Sequence, residues 1–213
     1  MIKLYKEFTP TVSIILPTFN RINYLLTAIE SVRNQTFSNW ELLVIDDGSD
    51  DGTFDLIKKY QDYHINIRYS RHSNRKLPIT LNAGLLMATG EYVTFLGSDD
   101  KYKPDHLKLR FDFMKKNSDV DLIHGGVDIV GDPYVKDKNN LNKLIHLSEC
   151  VIGGTFFGKR ELFLELDGFN NIHYSEDSDF YERARGNYNI QKIDFPTYVY
   201  NRDTPDSICN LIK

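Results

Sequence analysis

From residue 12 to about residue 116 the chain repeats one unit: a short apolar run that stops at a turn, then a longer stretch with apolar residues at helical spacing. Val12-Ser13-Ile14-Ile15-Leu16 is halted by Pro17 and reads as a strand buried on both faces. Tyr24, Leu25, Ala28, Ile29 and Val32 then recur along one helical stripe that ends near Asn34. Glu41 to Ile45 is a second strand, Phe54 to Tyr60 a short helix, and Ile65 to Tyr69 a third strand. Pro78 to Ala88 is a further helix, with Gly90 where a left-handed C-terminal residue is wanted. Tyr92 to Leu96 is the fourth strand, and Pro104 opens a helix reaching about Lys116. This alternation predicts an α/β fold, a three-layer sandwich with a mostly parallel central sheet and helices on both faces.

Beyond Val120 the pattern loosens. Val120 to Val130 reads as one strand, and Asp132 to Ser148, rich in Lys and Asn, as a loop or mobile insert. Arg160 to Leu166 is helical and stops at Gly168, a further helix starts near Glu176-Asp177, and Ile190 to Tyr200 is a last strand. Pro196 inside that strand places it at a sheet edge or marks a bulge. At about 150 residues per domain, 213 residues allow one large domain or one domain with a smaller appendage, and the expectation is a single domain over 1–213. Its regular half runs from about 10 to 105, and its less regular half, from about 106 to 213, is the expected partner-binding half.

Composition narrows the function classes. With 41% hydrophobic and 26% charged residues the chain can build a core, unlike a disordered segment. A net charge of −4 lacks the basic excess of a nucleic-acid-binding surface, so nucleic acid is excluded as an expected partner. Cys150 and Cys209 are too few for a disulfide scaffold and have no CxxC spacing, which fits a reducing, cytoplasmic compartment. The six histidines show no i, i+4 pair suggestive of a zinc helix. Met1 to Pro10 carries Lys3, Lys6 and Glu7 without an apolar core, and no run of apolar residues is long enough to span a membrane.

The acid is placed unevenly. In an open parallel sheet, ligands bind beyond the C-terminal strand ends, where loops gather and helix N-termini point. Asp46-Asp47 and Asp99-Asp100 close two strands at that edge, and Glu176-Asp177 follows a loop in the second half. Each doublet alone is compatible with a turn or a helix cap. Together at one rim they would repel one another unless one is protonated or a cation lies between them. Oxygen ligands without a Cys/His cluster suit Mg²⁺ or Mn²⁺, which commonly hold phosphates. The residues therefore suggest a metal joining Asp99 or Asp100 to a diphosphate, with another carboxylate left as a base.

With these residues assembled, the chain resembles the family 2 glycosyltransferases, enzymes of GT-A fold that use nucleotide-diphosphate sugars. Val12 to Arg21 is similar to the family's opening strand and nucleotide loop, and Ser31 to Phe37 with Trp40 to Thr53 to its second block. Asn82-Ala83-Gly84 and Ala88 to Leu96 lead into the acidic metal motif. Gly153-Gly154-Thr155, Asp167-Gly168-Phe169 and Glu176 to Phe180 resemble the acceptor-side blocks. The resemblance implies a nucleotide site of Pro17, Thr18, Phe19, Asn20, Arg21, Asp46, Asp47, Asn82, Ser98 and Asp99, with Asp46 accepting from a base N–H and Asn82 near the diphosphate. It further implies Asp99 as ligand of Mn²⁺ or Mg²⁺ with Asp100 beside it. Asp177 would be the general base of an inverting transfer, and Gly153, Gly154, Thr155, Tyr174 and Glu176 would face the acceptor. The partners implied are a UDP- or dTDP-sugar donor and a glycan or lipid-linked saccharide acceptor, as in polysaccharide biosynthesis. A lipid-linked acceptor would bring the chain to the inner face of a membrane in peripheral contact.

Two positions depart from the family's pattern. Gly97 stands where the first acid of Asp-x-Asp-Asp is common, and Tyr200-Asn201-Arg202-Asp203 lacks the His that often follows Tyr-Arg, although Arg202 remains available to a phosphate. Both departures motivate an alternative, a non-catalytic sugar-nucleotide or glycan-binding module. A sugar nucleotidyltransferase would want a glycine-rich basic loop after the first strand, which Thr18-Phe19-Asn20-Arg21 does not supply.

Overall fold

The computed structural model describes residues 8–205 and 207–211. The segment before residue 8, read above as lacking an apolar core, lies outside the described residues. In chain order the elements are β1 (Val12–Thr18), α1 (Ile22–Arg33), β2 (Trp40–Asp46), α2 (Thr53–Gln61), β3 (Ile67–Arg71), α3 (Leu77–Met87), β4 (Tyr92–Phe95), β5 (Lys101–Tyr102) and α4 (His106–Lys116). The second half adds β6 (Leu122–His124), β7 (Val127–Val130), β8 (Tyr134–Asp137), β9 (Asn140–His146), β10 (Phe157–Lys159), α5 (Arg160–Glu165), α6 (Glu176–Ala184), β11 (Ile190–Lys192), β12 (Tyr198–Asn201) and α7 (Ile208–Leu211).

Seven strands form the central sheet in the order β11-β6-β10-β4-β1-β2-β3, parallel except for β10, which runs against both neighbours. Side chains alternate along each strand, so one strand serves two cores. Val12, Ile14 and Leu16 pack with Leu25, Ile29 and Val32 of α1, Ile57 of α2 and Leu107 of α4 on one face. Ile15, Leu43 and Ile45 pack with Leu81 and Leu85 of α3, Phe163 of α5 and Phe180 of α6 on the other. These side chains are fully or almost fully buried, each contributing about 1.5–3 kcal/mol, and truncating Leu43 to Ala would cost about 2–5 kcal/mol. The expected three-layer α/β sandwich is the observed one. Trp40 opens β2 inside the core, 6% exposed.

Pro17 in a central strand has a local reason. Ile15 accepts the N–H of Leu96, just beyond β4, at 3.0 Å, so Pro17, two residues on, faces the same side, where pairing with β4 has already ended at Ile15 and Phe95. The missing proline N–H therefore leaves no sheet partner unsatisfied.

Four expectations are corrected. Val120 to Val130 is two strands in different sheets, because Gly125 and Gly126 turn the chain at φ 91° and 68°, conformations that β-carbon-bearing residues resist. Ile190 to Tyr200 is likewise β11 and β12, with Pro196 in the gap between them and β12 at the centre of a three-stranded sheet, β5-β12-β7. The insert at 132–148 is the antiparallel hairpin β8-β9, bulged between Lys136 and Asp137. Gly90 has no positive φ; it is needed because a β-carbon there would lie 2.7 Å from the Ser13 amide. That close approach belongs to a buried polar cluster in which Glu41 accepts from Ser13 at 2.7 Å, Arg68 at 2.9 Å and the Thr89 N–H at 2.8 Å. Burial alone would raise the Glu41 carboxyl, and these donors outweigh it and hold it below its ordinary value.

Candidate active site

The C-terminal ends of the parallel strands β1, β2 and β4 share one rim, and the first two loops on it are joined by carboxylate bridges. Asp46 closes β2 with no exposed surface: one oxygen accepts from the amides of Gly48 at 3.1 Å and Ser49 at 2.8 Å, the other from the Tyr69 hydroxyl at 2.6 Å. Asp47 accepts the amides of Arg75 at 2.6 Å and Lys76 at 3.0 Å, fixing the entry to α3. Asp51 accepts the amide of Ile22 at 2.9 Å and the Thr53 hydroxyl at 2.7 Å. Asn20, at φ 52°, donates its amide to Ser49 at 2.9 Å and accepts that of Asp50 at 2.9 Å. Three of the roughly four acceptor positions of the Asp46 carboxylate are thus taken within the protein.

Phe19 projects from this double loop, 44% exposed, with Arg21 over the Tyr24 ring at 6.0 Å. Beneath it the buried Thr18 hydroxyl has no hydrogen-bond partner. Asn82, on α3, uses both ends of its amide on the backbone of Phe169, each at 2.8 Å. It fastens the Asp167-Gly168-Phe169 turn to α3, a role its sequence position gave no sign of.

The third loop, Gly97 to Asp100, brings both of its acids to one cavity of about 250 Å³, lined also by Tyr24, Thr27, Lys101 and Asn201. Asp100 is buried, accepting from the Tyr198 hydroxyl and from the Asn201 amide at 2.8 Å. Burial first, and the charge of Asp99 second, push its carboxyl up to about 7. Ser98 is also buried. Gly97 has a packing reason: a β-carbon there would lie 2.5 Å from the Asp100 carboxylate oxygen that receives Tyr198. Among the described residues no group of three or more His, Cys, Asp and Glu could enclose a metal. Asp99 at the cavity, with Asp100 behind it, nevertheless fits a hard cation that takes one or two carboxylates and completes its shell with substrate phosphate and water.

On the acceptor side, Asp177 sits in the first turn of α6 behind Ser175, whose φ is 65°. Its carboxylate accepts the Gly153 amide at 2.9 Å and the Ser178 amide at 2.7 Å. Three acids in this turn, Glu176, Asp177 and Asp179, suit the positive end of a helix. Even so, burial raises both Glu176 and Asp177, and the charge of Asp177 raises Glu176 further. Gly153 and Gly154 are small for two different neighbours: a β-carbon on the first would meet Asp177 at 2.9 Å, and one on the second would overlap the Tyr198 phenol. Thr155 is buried, accepting from the Gly125 amide at 2.9 Å and donating to Ile152 at 2.7 Å. Tyr174 donates to the Lys136 carbonyl at 2.8 Å, tying hairpin β8-β9 to the approach to α6. Arg202, 8% exposed, donates to the carbonyls of Asp132 and Tyr134 at 3.3 Å each and has one guanidinium nitrogen without a partner.

The structure therefore links the Gly97–Asp100 loop to the turn that holds Asp177 through Tyr198, a residue sequence reasoning passed over. Its hydrogen bond to Asp100 spans 98 positions, which no local spacing could reveal. Among the described residues no helix is long and apolar enough to cross a membrane.

Comparison with known proteins agrees with this architecture. The chain is 34% identical over 147 residues to TuaG of Bacillus subtilis, a glycosyltransferase whose name assigns it provisionally to teichuronic acid biosynthesis, covering 68% of this chain and 56% of that one. It is 28% identical to an uncharacterized glycosyltransferase, RT0329, of Rickettsia typhi, over 97% of this chain and 69% of that one. Among solved structures, S. aureus TarS 1-349 in complex with UDP-GlcNAc superposes with a TM-score of 0.79 at 23% identity, covering 93% of this chain and 60% of that one. The mannosyltransferase PcManGT of Pyrobaculum calidifontis, in complex with GDP-Man and Mn2+, superposes with a TM-score of 0.72 at 22% identity, covering 92% and 58%. The chain thus has the GT-A type fold and spans a little over half the length of several proteins it matches. The family model described as glycosyl transferase family 2 matches residues 13–192, and the chain belongs to that family.

Proposed function

We propose that this chain transfers a sugar, with inversion, from a UDP- or dTDP-linked donor to a hydroxyl of a glycan or lipid-linked saccharide. The observation that supports the reading is the contact path from the loop carrying Asp99 and Asp100 through Tyr198 to Gly154 and Gly153, whose amide holds Asp177 at 2.9 Å. Likeness to TarS, whose complexes hold UDP-GlcNAc and UDP, supports a uridine donor, and likeness to TuaG supports a saccharide acceptor.

In this reading residues 10–105 form the donor half and 106–213 the acceptor half. Phe19 offers an exposed ring to the base, while Pro17, Thr18, Asn20, Arg21, Asp46 and Asp47 shape the loop beneath it, and Ser98 and Asn82 hold the neighbouring turns in place. The orphaned Thr18 hydroxyl gives that loop an unused donor and acceptor beside the ligand. Asp99, backed by Asp100, would hold Mn²⁺ or Mg²⁺, whose charge offsets that of the departing diphosphate. Asp177 accepts the acceptor hydroxyl's proton as that oxygen bonds to the anomeric carbon; the bond from that carbon to the diphosphate oxygen breaks, and its electron pair leaves with the diphosphate. Gly153, Gly154, Thr155, Tyr174 and Glu176 frame the acceptor's approach. A raised Asp177 is more basic than an ordinary carboxylate, which suits this role.

The test is Asp177→Asn. Sugar transfer should fall by about 10²–10⁴-fold while nucleotide affinity is retained. Unchanged turnover would remove Asp177 from the base role.

A further inference from the structure

Tyr198 is 1% exposed and stands where the two halves of the site meet. Its hydroxyl donates to Asp100 and accepts the Gly97 amide at 3.1 Å. On its other side the same phenol fills the space that a side chain at Gly154 would take, and the adjoining Gly153 amide holds Asp177 at 2.9 Å. The ring itself is braced. Tyr102 meets it edge-on at 5.8 Å, His106 stacks on Tyr102 at 3.7 Å, and buried Arg110 fixes the preceding residue by donating to the Thr197 hydroxyl at 2.7 Å. Gly97 completes the arrangement, because any side chain there would enter the space of the Asp100 oxygen that Tyr198 holds.

We infer that Tyr198 is a positioning residue for the transfer: its hydroxyl, with Gly97, fixes Asp100 and hence the direction in which adjacent Asp99 meets the metal, and its ring sets the turn that aims Asp177. The inference rests on the proposed function. It also assigns a purpose to the glycine that departs from the family's acidic motif. A loop lacking the first acid is held by a phenol from β12 instead, so donor and base geometry are set by one side chain.

The test is a double-mutant cycle on the full chain with Tyr198→Phe, Gly97→Ala and the two combined, using whichever of UDP, dTDP, GDP or CDP binds the wild type with Mn²⁺. Affinity is measured with and without Mn²⁺, next to kcat, KM and the thermal midpoint. Tyr198→Phe should weaken the Mn²⁺-dependent affinity about tenfold, as expected for losing a hydrogen bond to a charged group, and leave metal-free affinity unchanged. It should lower kcat by a larger factor than it raises KM. Gly97→Ala should do the same, and the double variant should be no worse than the more damaging single one, since both release Asp100. Losses that multiply, or a Tyr198→Phe chain with wild-type Mn²⁺-dependent affinity and kcat, would overturn the inference and leave the proposed function standing. A merely structural tyrosine would move both affinities together with the thermal midpoint, which also counts against it. If Tyr198→Phe does not fold, Gly97→Ala alone decides, its metal-dependent affinity being lowered or not. A wild type that binds none of the nucleotides would instead overturn the proposed function, and the inference with it.

Discussion

The acidic doublets of this chain look alike in sequence and are opposites in structure. Asp46 and Asp47, in the loop after β2, are buried and accept amide and hydroxyl donors that hold the turns together. At Asp100, Glu176 and Asp177 desolvation outweighs the hydrogen bonds that they accept, and their carboxyls are raised. The first pair holds the loops of the rim together, and the second group is the one to which the proposed function assigns the chemistry. Replacing an acid should therefore harm stability in one place and chemistry in the other.

The largest expected difference is in catalysis. Asp177→Asn should lower transfer by about 10²–10⁴-fold and leave the denaturation midpoint equal or higher. A destabilised variant would erase the contrast.

Next comes Asp47→Ala. It strips the amides of Arg75 and Lys76 of their acceptor and should cost about 1–3 kcal/mol in a denaturant titration. A loss under about 0.5 kcal/mol would mean that water replaces the carboxylate there without penalty.

Dependence on pH sharpens the same division. Asp177 must be ionised to act as a base, so the rising limb of kcat/KM should lie above the ordinary Asp value near ~3.9. A limb at or below that value would contradict a raised carboxyl. Because the folded pKa of Glu176 is raised, its contribution to stability is present below the unfolded value near ~4.3 and lost as pH rises through the folded value. Glu176→Gln should accordingly stabilise the chain more at pH 8 than at pH 4, read from paired denaturation curves. Smallest of all is the control Arg185→Ala, which removes an exposed pair with Glu182 at 2.7 Å and should change stability by no more than about 0.5 kcal/mol.

Legibility in the sequence followed the same line between the halves. β1, β2 and β4 were readable because each is an apolar run buried on both faces, and β1 is followed by α1 with a clear apolar stripe. β6, β7, β11 and β12 were not, being three or four residues long and joined into apparent longer runs across Gly125-Gly126 and Pro196. Hairpin β8-β9 hid because β9 is mostly exposed and its Lys and Asn look like loop composition. At the site, strand order placed Asp46-Asp47 at the end of β2 and Asp99-Asp100 beyond β4. It does not reveal what each acid accepts, because the donors to Asp46 and Asp47 include Tyr69 of β3 and Arg75 and Lys76 of the segment leading into α3. Gly97 read as a loss until the Asp100 oxygen was seen in its space.

The most direct measurement is calorimetric titration of UDP, dTDP, GDP and CDP into the chain, with and without Mn²⁺, beside an Asp99→Ala control. The account predicts that UDP or dTDP binds, more tightly with Mn²⁺, and that the metal-dependent part disappears in the control. Binding of none of the four, or Mn²⁺-dependent binding unchanged in Asp99→Ala, would contradict it.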